Sequence, residues 1–363
     1  SNLWEKTMRV KLEDVCERGT SSLMQKDIVD KNGKYPVYGA SGRIGSMETY
    51  QQEHQTVAVV KDGAGIGRTM LLPEKSSIIG TMQYLIPKNC IEPEYLYYAV
   101  KYMHLEKYFS GATIPHIYFR DYKTEEFNLH NKTEQQEIIS TLKRVEAVIS
   151  NRREQLAMLD ELVKARFVEM FGDKNYHYES LINLILDGTS LSYGIVQPGN
   201  DGTGDMGVLR PVDIVDGKLT MSSIKYIDRS IGEGFKKTEL DGDELLITVR
   251  GTTGITALTD GRFAGMNVTR GIAVIRYNRK KINPLYLNAY FNTDESQRYI
   301  QEHTRGATLQ QINLSDLRIQ RIMLPPLSLQ NQFAAFVAEV DKSKLFAELF
   351  AQNACILAEN RSK

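Results

Sequence analysis

One stretch near the middle of the chain, residues 133–171, restricts the possible folds more than any other. It contains no glycine or proline, and its apolar residues recur at alternating steps of four and three. This repeat is typical of a helix that packs lengthwise on a partner helix. We predict one spacer helix about 58 Å long, capped at its start by Thr133 and Gln136. Its stripe consists of Ile138, Leu142, Val145, Ile149, Leu156, Leu159 and Val163.

The segments before this stretch return in the same order after it, which indicates an internal repeat. Pro93 and Pro284 are 191 positions apart and begin similar apolar segments. The Gly-Ala-Thr triplets that begin at Gly111 and Gly306 are 195 positions apart. The second copy also carries an insertion, residues 193–207. We therefore predict two domain-plus-helix units in tandem, with domains at residues 1–131 and 173–327 and helices at residues 132–172 and 328–363.

The second helix is the poorer copy of the apolar stripe. Phe333, Val337 and Val340 keep the pattern, and the later positions are Lys344, Ala351, Ala354 and Ala358. Two such helices in one chain pack most simply against each other, in antiparallel orientation. The predicted fold class is α/β (mixed α+β), with two similar globular domains separated by two long antiparallel coiled-coil helices in a pseudo-two-fold repeat.

Composition excludes some classes of protein. With 45 basic and 45 acidic residues the net charge is zero, which argues against coating nucleic acid by bulk electrostatics. A DNA-binding protein whose basic residues are concentrated on one surface is still compatible with a net charge of zero. No apolar run approaches the roughly 20 residues that span a membrane. The three scattered cysteines suit a reducing cytosol, so we expect a cytoplasmic protein that does not bind a membrane.

A glycine-rich loop, residues 61–68, superficially resembles a dinucleotide or AdoMet loop. Such a loop needs a helix behind it, and here Pro73 follows within a few residues. The repeat copy aligns Asp62-Gly63 with Arg250-Gly251 and also lacks a helix. A hairpin that presents side chains to a phosphate or base edge is one interpretation, and a plain structural turn is the other. The residues so presented are Lys61, Arg68, Arg250, Thr252 and Thr253.

The polar residues around the two Gly-Ala-Thr triplets are further candidates for DNA contacts. Arginine reads guanine and glutamine reads adenine in the major groove. The candidates are His116, Arg120, Arg305, Gln310 and Gln311. The triplet itself is interpreted as a packing turn that anchors each domain on its helix.

Catalytic signals are missing from the sequence. Residues 323–328, MLPPLS, lack the leading amide or acid and the aromatic residue of an adenine-methyltransferase tetrad. The six histidines show no metal-ligand spacing. We therefore expect no catalytic residue, no metal and no cofactor on this chain.

The whole order of segments, from Val10 to Phe350, resembles the specificity subunit of Type I restriction–modification enzymes. Residues 35–45 are similar to the family's usual opening of a recognition domain, as are residues 193–199 and 207–219 in the second copy. The Gly-Ala-Thr segments and the glutamine-rich helix starts also match. These motifs add Tyr38, Ser41, Arg43, Tyr193, Gln197 and Arg210 to the candidate DNA-binding residues.

The resemblance implies a non-catalytic subunit that binds a bipartite site in double-stranded DNA. It also implies methyltransferase subunits as partners, which carry AdoMet and the chemistry, with restriction subunits as possible further partners. Two alternatives remain at this point: a protein-interaction scaffold that never touches DNA, favoured by the neutral charge, and a self-contained DNA methyltransferase.

Overall fold

The computed structural model describes residues 8–28, 33–111, 115–172, 174–199, 202 and 204–362, with side chains through Phe350. The chain forms two compact units. The first consists of Ser1–Gln155 with Ala347–Lys363, and the second of Leu156–Phe346. None of the helices in these ranges is long and apolar enough to cross a lipid bilayer.

The first unit is built mainly from short antiparallel strands. They are β1 (Met8–Lys11), β2 (Cys16–Thr20), β3 (Tyr35–Gly39), β4 (Gly42–Met47), β5 (Thr56–Val60), β6 (Thr69–Leu72), β7 (Ser77–Ile78), β8 (Met82–Pro87) and β9 (Glu126–Leu129). Three sheets result, in the orders β2-β8-β5-β6, β4-β3-β7 and β1-β9. Every residue of β5 is buried, because this strand lies between β8 and β6 with both faces covered.

Among the described residues, the helices α1 (Leu12–Val15), α2 (Pro93–Lys101) and α3 (Phe119–Tyr122) lie in this unit, and α4 (Lys132–Phe171) begins in it. The helical pattern in residues 91–109 predicts a longer α2 than the structure has. The helix stops at Lys101, and His104 takes a left-handed conformation (φ 54°). This turn directs Leu105, which is 1% exposed, into the core.

The second unit carries β10 (His177–Ser180), β11 (Met206–Leu209), β12 (Ile214–Val215), β13 (Lys218–Leu219), β14 (Lys225–Ile227), β15 (Leu245–Thr248), β16 (Thr256–Leu258), β17 (Asn267–Val268), β18 (Ile272–Ile275), β19 (Thr304–Arg305), β20 (Gln311–Ile312) and β21 (Arg321–Leu324). Its helices are α5 (Arg229–Gly232), α6 (Pro284–Phe291), α7 (Asp294–His303), α8 (Leu314–Ile319) and α9 (Leu327–Ser362). The sheet β16-β15-β18 corresponds to β6-β5-β8 of the first unit.

The repeat predicted from the sequence is confirmed by equivalent hydrogen bonds in the two units. The Tyr95 hydroxyl donates to the Asn128 carbonyl (2.8 Å), and the Tyr286 hydroxyl donates to the Met323 carbonyl (2.9 Å). In both units the first strand pairs antiparallel with the strand that leads to the long helix: β1 with β9, and β10 with β21. The two copies therefore share a frame and not only an order of motifs.

The long helix predicted at residues 133–171 is confirmed as α4, 40 residues without a break. Its predicted cap is wrong by two residues. Glu134 N donates to Asn131 Oδ1 (3.0 Å), and Asn131 N donates to the Glu134 carboxylate (3.3 Å). Asparagine at this position satisfies the free backbone N–H groups of the first turn, so the helix starts ahead of Thr133.

The first turns of α4 pack on the core of the first unit. Ile139 and Leu142 are buried in that core, and Ile138 and Val145 pack against it half-buried. The predicted stripe therefore serves its own domain at this end of the helix. Further along the stripe, half-buried side chains continue at Ile149, Leu156, Leu159 and Val163.

Within the second unit α4 and α9 run antiparallel. The Phe167 and Phe333 rings lie 5.5 Å apart, the Arg166 guanidinium lies over the Phe336 ring, and Lys344 Nζ pairs with Asp160 Oδ1 at 2.6 Å. As the residue numbers fall along α4, the numbers of the residues that they contact on α9 rise, which is the antiparallel arrangement. Buried apolar side chains of α9 follow the predicted stripe at Phe333, Val337 and Val340.

Within the first unit the two helices also touch, because the Arg152 guanidinium lies over the Phe350 ring (5.4 Å). Arg152 interrupts the apolar stripe of α4, and this contact is a physical reason why a cation fits there. The side chains of Ala351, Ala354 and Ala358 lie outside the described residues.

Candidate functional site

Each unit contains a glycine hairpin between two strands of its main sheet. In the first, Gly67 N donates to the Val60 carbonyl and Val60 N donates to the Arg68 carbonyl, both at 2.9 Å. In the second, Gly254 N donates to the Thr248 carbonyl and Thr248 N donates to the Ile255 carbonyl, both at 2.8 Å. Strands β6 and β16 follow these loops, so neither loop opens a helix that could face a dinucleotide phosphate.

A second segment is bonded to each hairpin. Gly63 N donates to the Pro115 carbonyl (2.9 Å), and Ile117 N donates to the Lys61 carbonyl (3.0 Å). The second unit repeats both bonds with Gly251 N to Gln310 and Ile312 N to Val249. We call each hairpin with its bonded segment a clasp: residues 61–68 and 115–120 in the first unit, and residues 249–255 and 310–315 in the second.

The bonds of the clasp show which residues of the two units occupy equivalent positions. Asp62 stands opposite His116 and Arg250 stands opposite Gln311 in isolated antiparallel bridges. Arg68, in contrast, corresponds to Ile255. The Arg68 carbonyl accepts from Val60 N, and the Ile255 carbonyl accepts from Thr248 N. The two arginines therefore occupy different positions of equivalent loops.

Charged groups of the first clasp are paired with each other. His116 Nδ1 lies 2.6 Å from Asp62 Oδ1, and Lys61 Nζ lies 3.2 Å from Asp62 Oδ2. All three side chains are about one-third exposed. The Arg120 guanidinium lies over the Tyr118 ring at 4.6 Å, with most of its surface exposed. This clasp thus presents both donors and acceptors to solvent.

Arg68 connects the first clasp to the turn between β3 and β4. Its Nη1 donates to the Ala40 carbonyl (2.8 Å). Ser41 and Arg43 beside that carbonyl are exposed, and Tyr38 is half-buried against the core under the sheet. The bond from Arg68 therefore places the turn that carries the candidate DNA-binding residues Ser41 and Arg43 next to the glycine hairpin.

Arg250 is the most distinctive side chain of the second clasp. The residue is half-buried, and its Nε is buried without a hydrogen-bond partner among the described residues. A buried donor without a partner costs about 1–3 kcal/mol. Arginine also offers five donors in a fixed planar arrangement. The Arg250 guanidinium therefore keeps a donor that no described residue satisfies.

The other predicted residues of the second clasp differ in exposure. Thr252 and Gln310 are exposed, and Arg305 is exposed with a distant ion pair to Asp316 (3.8 Å). Thr253 is buried and hydrogen-bonds to Thr304 (2.9 Å). Gln311 is half-buried, with its amide 3.5 Å from Asn313 Oδ1.

The candidate residues in and after the insertion take different places. The exposed Tyr193 accepts a hydrogen bond from Leu314 N through its hydroxyl (3.4 Å), so it borders the second clasp. Gln197 is exposed. Arg210 donates to both carboxylate oxygens of the fully buried Asp213 (3.1 and 3.0 Å), so this guanidinium stabilises the fold locally.

The Gly-Ala-Thr turns need their glycines. Gly111 and Gly306 have φ values of 103° and 104°, a region that side chains rarely adopt. A Cβ on Gly306 would also lie 2.2 Å from the Leu309 carbonyl oxygen. Ala112 and Thr113 lie outside the described residues.

Two residues at the clasps were missed by sequence reasoning. Exposed Arg270 precedes Gly271, whose carbonyl accepts from Val249 N (2.8 Å), so it lies beside the second clasp. Its counterpart in the first unit is Gly80, so comparison of the two copies gives no indication that this position carries a functional side chain. Tyr118, 45% exposed, could have been found as an aromatic residue five positions after Thr113 of the Gly-Ala-Thr triplet.

Comparison with known proteins also identifies two separate segments of the chain. The family described as the Type I restriction modification DNA specificity domain matches residues 4–159 and 203–349. The Type I restriction enzyme EcoBI specificity subunit of Escherichia coli is 25% identical over 160 residues, 44% of this chain and 34% of that protein. The chain therefore matches about one-third of the length of that curated relative.

Two solved structures share the fold over nearly the whole chain. The S subunit of a Type I restriction-modification system from M. genitalium has a TM-score of 0.56 at 14% identity, with 100% of this chain and 96% of that chain covered. A chain from a study of complex assembly and conformational transition of the type I R-M system has a TM-score of 0.53 at 16% identity, covering 98% and 96%. With two matched segments that span most of its length, the chain belongs to the family of Type I restriction–modification DNA specificity domains.

Proposed function

We propose that this chain is the specificity subunit of a Type I restriction–modification complex and recognises a bipartite site in double-stranded DNA, one half-site with each unit. The observation that carries the proposal is the clasp, which is built twice with the same backbone bonds and with different side chains. A repeated frame with unlike side chains suits a reader of two different half-sites, because side chains on base edges specify sequence.

In this proposal the chain performs no catalysis of its own. Methyltransferase subunits carry AdoMet and the methyl transfer, and restriction subunits join the same cytoplasmic complex. The glycine hairpins support this division, because each returns into a strand and offers no helix N-terminus to a cofactor phosphate.

The long helices are the proposed docking surface for the methyltransferase subunits. Large apolar side chains are exposed on them in the second unit: Met158 and Leu162 on α4, and Leu345 and Phe346 on α9. Exposed apolar groups of this size, aromatic residues above all, are typical of protein–protein contacts. The protein-scaffold alternative would use the same helices, so DNA binding is the property to test.

Arg250→Ala tests the DNA-binding proposal. In the complex with the methyltransferase subunits, we expect a loss of roughly 1–3 kcal/mol in binding and relaxed specificity at one base pair of one half-site, because a bidentate guanine contact is removed. The readout is selection from a DNA pool randomised over both half-sites. The control is Arg262→Ala, an exposed arginine beyond the far end of β16 that pairs with Asp260 (2.7 Å).

An equal loss of affinity on all sequences would assign Arg250 to a phosphate and contradict the base contact. Unchanged affinity would place the second clasp away from DNA. If the wild-type complex shows no sequence-selective binding at all, the proposal is wrong and the scaffold function is the alternative to test.

A further inference from the structure

The two clasps carry opposite chemistry at one backbone position. Residue 62 of the first and residue 250 of the second make the same antiparallel bridge, to residues 116 and 311. One is an aspartate and the other an arginine. The residue before each differs as well: Lys61 is polar and one-third exposed, and Val249 is buried.

The second clasp offers only donors at this position. The Arg250 guanidinium has no acceptor in its chemistry, and its Nε is buried without a partner among the described residues. In the major groove guanine presents two neighbouring acceptors, N7 and O6, which match the planar donor pair of arginine. Adenine and cytosine each place an amino group where the guanidinium needs an acceptor.

The first clasp offers an acceptor beside a donor. The Asp62 carboxylate is hydrogen-bonded to His116 through Oδ1 and forms an ion pair with Lys61 through Oδ2 (3.2 Å), so its orientation is fixed from two sides. An ionised carboxylate has about four acceptor positions, so two remain for a ligand. The side chains of Asp62 and Lys61 are 28% and 30% exposed, so both remain within reach of one.

Among single bases, a carboxylate next to an ammonium matches the donor and acceptor pair of adenine, although a carboxylate alone also accepts from the cytosine amino group. Adenine presents the N6 amino group as a donor next to the N7 acceptor. Asp62 can accept from N6 while Lys61 donates to N7. A guanine edge would place its O6 acceptor against the carboxylate, which is repulsive.

We infer that residues 62 and 250 determine which base is read at corresponding places of the two half-sites, adenine through Asp62 with Lys61 and guanine through Arg250. This inference rests on the proposed function and deepens it. His116 acts as a positioning residue, since it holds the Asp62 carboxylate and does not need to touch the base.

The test exchanges the chemistry of the first clasp for that of the second. The double variant Asp62→Arg with His116→Gln, in complex with the methyltransferase subunits, is subjected to selection from a pool randomised over both half-sites. We expect one A·T pair of the first unit's half-site to change to G·C, with a change in preference of about 5- to 150-fold. The other half-site should stay as in the wild type.

Two further variants keep the result interpretable if the double variant folds poorly. Asp62→Asn retains an acceptor beside a donor, and we expect it to keep the adenine preference, since amides read adenine. Asp62→Ala should lose the preference without a gain of guanine. Glu74→Arg adds the same charge at an exposed turn beyond the far end of β6, and we expect it to change no base pair.

Wild-type base preferences in the double variant, with binding retained, would overturn the inference. So would a preference for guanine in the wild type at the base pair that responds to Asp62→Ala. The proposed function is judged separately, by whether the wild-type complex selects a two-part sequence at all.

Discussion

One buried glutamine at the start of each long helix ties that helix to its domain. Gln135 is fully buried, and its amide accepts from Glu92 N and donates to the carbonyls of Cys90 and His130. Gln330 takes the same place in the second unit, with Asn283 N as its donor. The sequence shows both helix starts as rich in glutamine. It does not show which glutamine turns inward, because that depends on where the domain lies.

Gln135→Leu should destabilise the first unit by about 2–3 kcal/mol, because the change leaves buried backbone groups without partners. The measurement is the midpoint of urea unfolding. The control is the adjacent Gln136→Leu, an exposed position of the same helix turn, which should stay within about 0.5 kcal/mol of the wild type. Equal effects of the two substitutions would show that Gln135 is not an anchor.

At the scale of elements, local patterns predict more than long-range pairings. The helix α4 follows from apolar residues that recur at alternating steps of four and three, without glycine or proline. The pairing of Asp62 with His116 does not follow from a local pattern, because 54 positions separate the two residues. It depends on the hydrogen bonds that join the hairpin to the segment at residues 115–120. Strands of two residues, such as β12 and β13, are too short to leave a periodic pattern.

Two of the phenylalanines on α9, Phe333 and Phe346, lie in opposite environments. Phe333 is fully buried, with its ring near Phe167, Phe171 and Tyr286. Phe333→Ala should cost about 3–5 kcal/mol of stability in the second unit, as expected for a large buried aromatic residue. Calorimetric unfolding measures this cost.

Phe346 is 66% exposed on the same helix and serves as the matched comparison. Phe346→Ala should leave unfolding nearly unchanged and weaken association with the methyltransferase subunits, measured by analytical ultracentrifugation. Undiminished association would remove Phe346 from the proposed docking surface.

At the scale of the whole molecule, both long helices contribute residues to both units. The boundary between the units falls after Gln155 on α4 and after Phe346 on α9. Contacts between the helices occur on each side of it: Arg152 with Phe350 in the first unit, and Asp160 with Lys344 in the second. An insertion at these two points therefore leaves the contacts inside each unit intact.

Seven residues of helix-forming sequence inserted after Gln155 and after Phe346 keep the apolar stripes in phase. Each helix becomes about 10 Å longer, which equals about three base pairs of DNA at 3.4 Å each. If the helices set the distance between the half-sites, the insertion variant should select a longer spacer with unchanged half-site sequences. The readout is selection from a pool with randomised spacer lengths, with an insertion of seven residues in α4 alone as the control. An unchanged spacer at full affinity would contradict the prediction.

The backbone bonds of the clasp have a consequence for how such a protein can acquire new targets. Backbone bonds from Gly63 N, Ile117 N and their counterparts join the hairpin to its bonded segment in each clasp, in addition to side-chain bonds such as that of His116 with Asp62. Residues 62, 116, 250 and 311 can then be replaced while the frame that presents them persists. If these positions read bases as proposed, a lineage that carries this fold can change its target sequence by single substitutions, one half-site at a time.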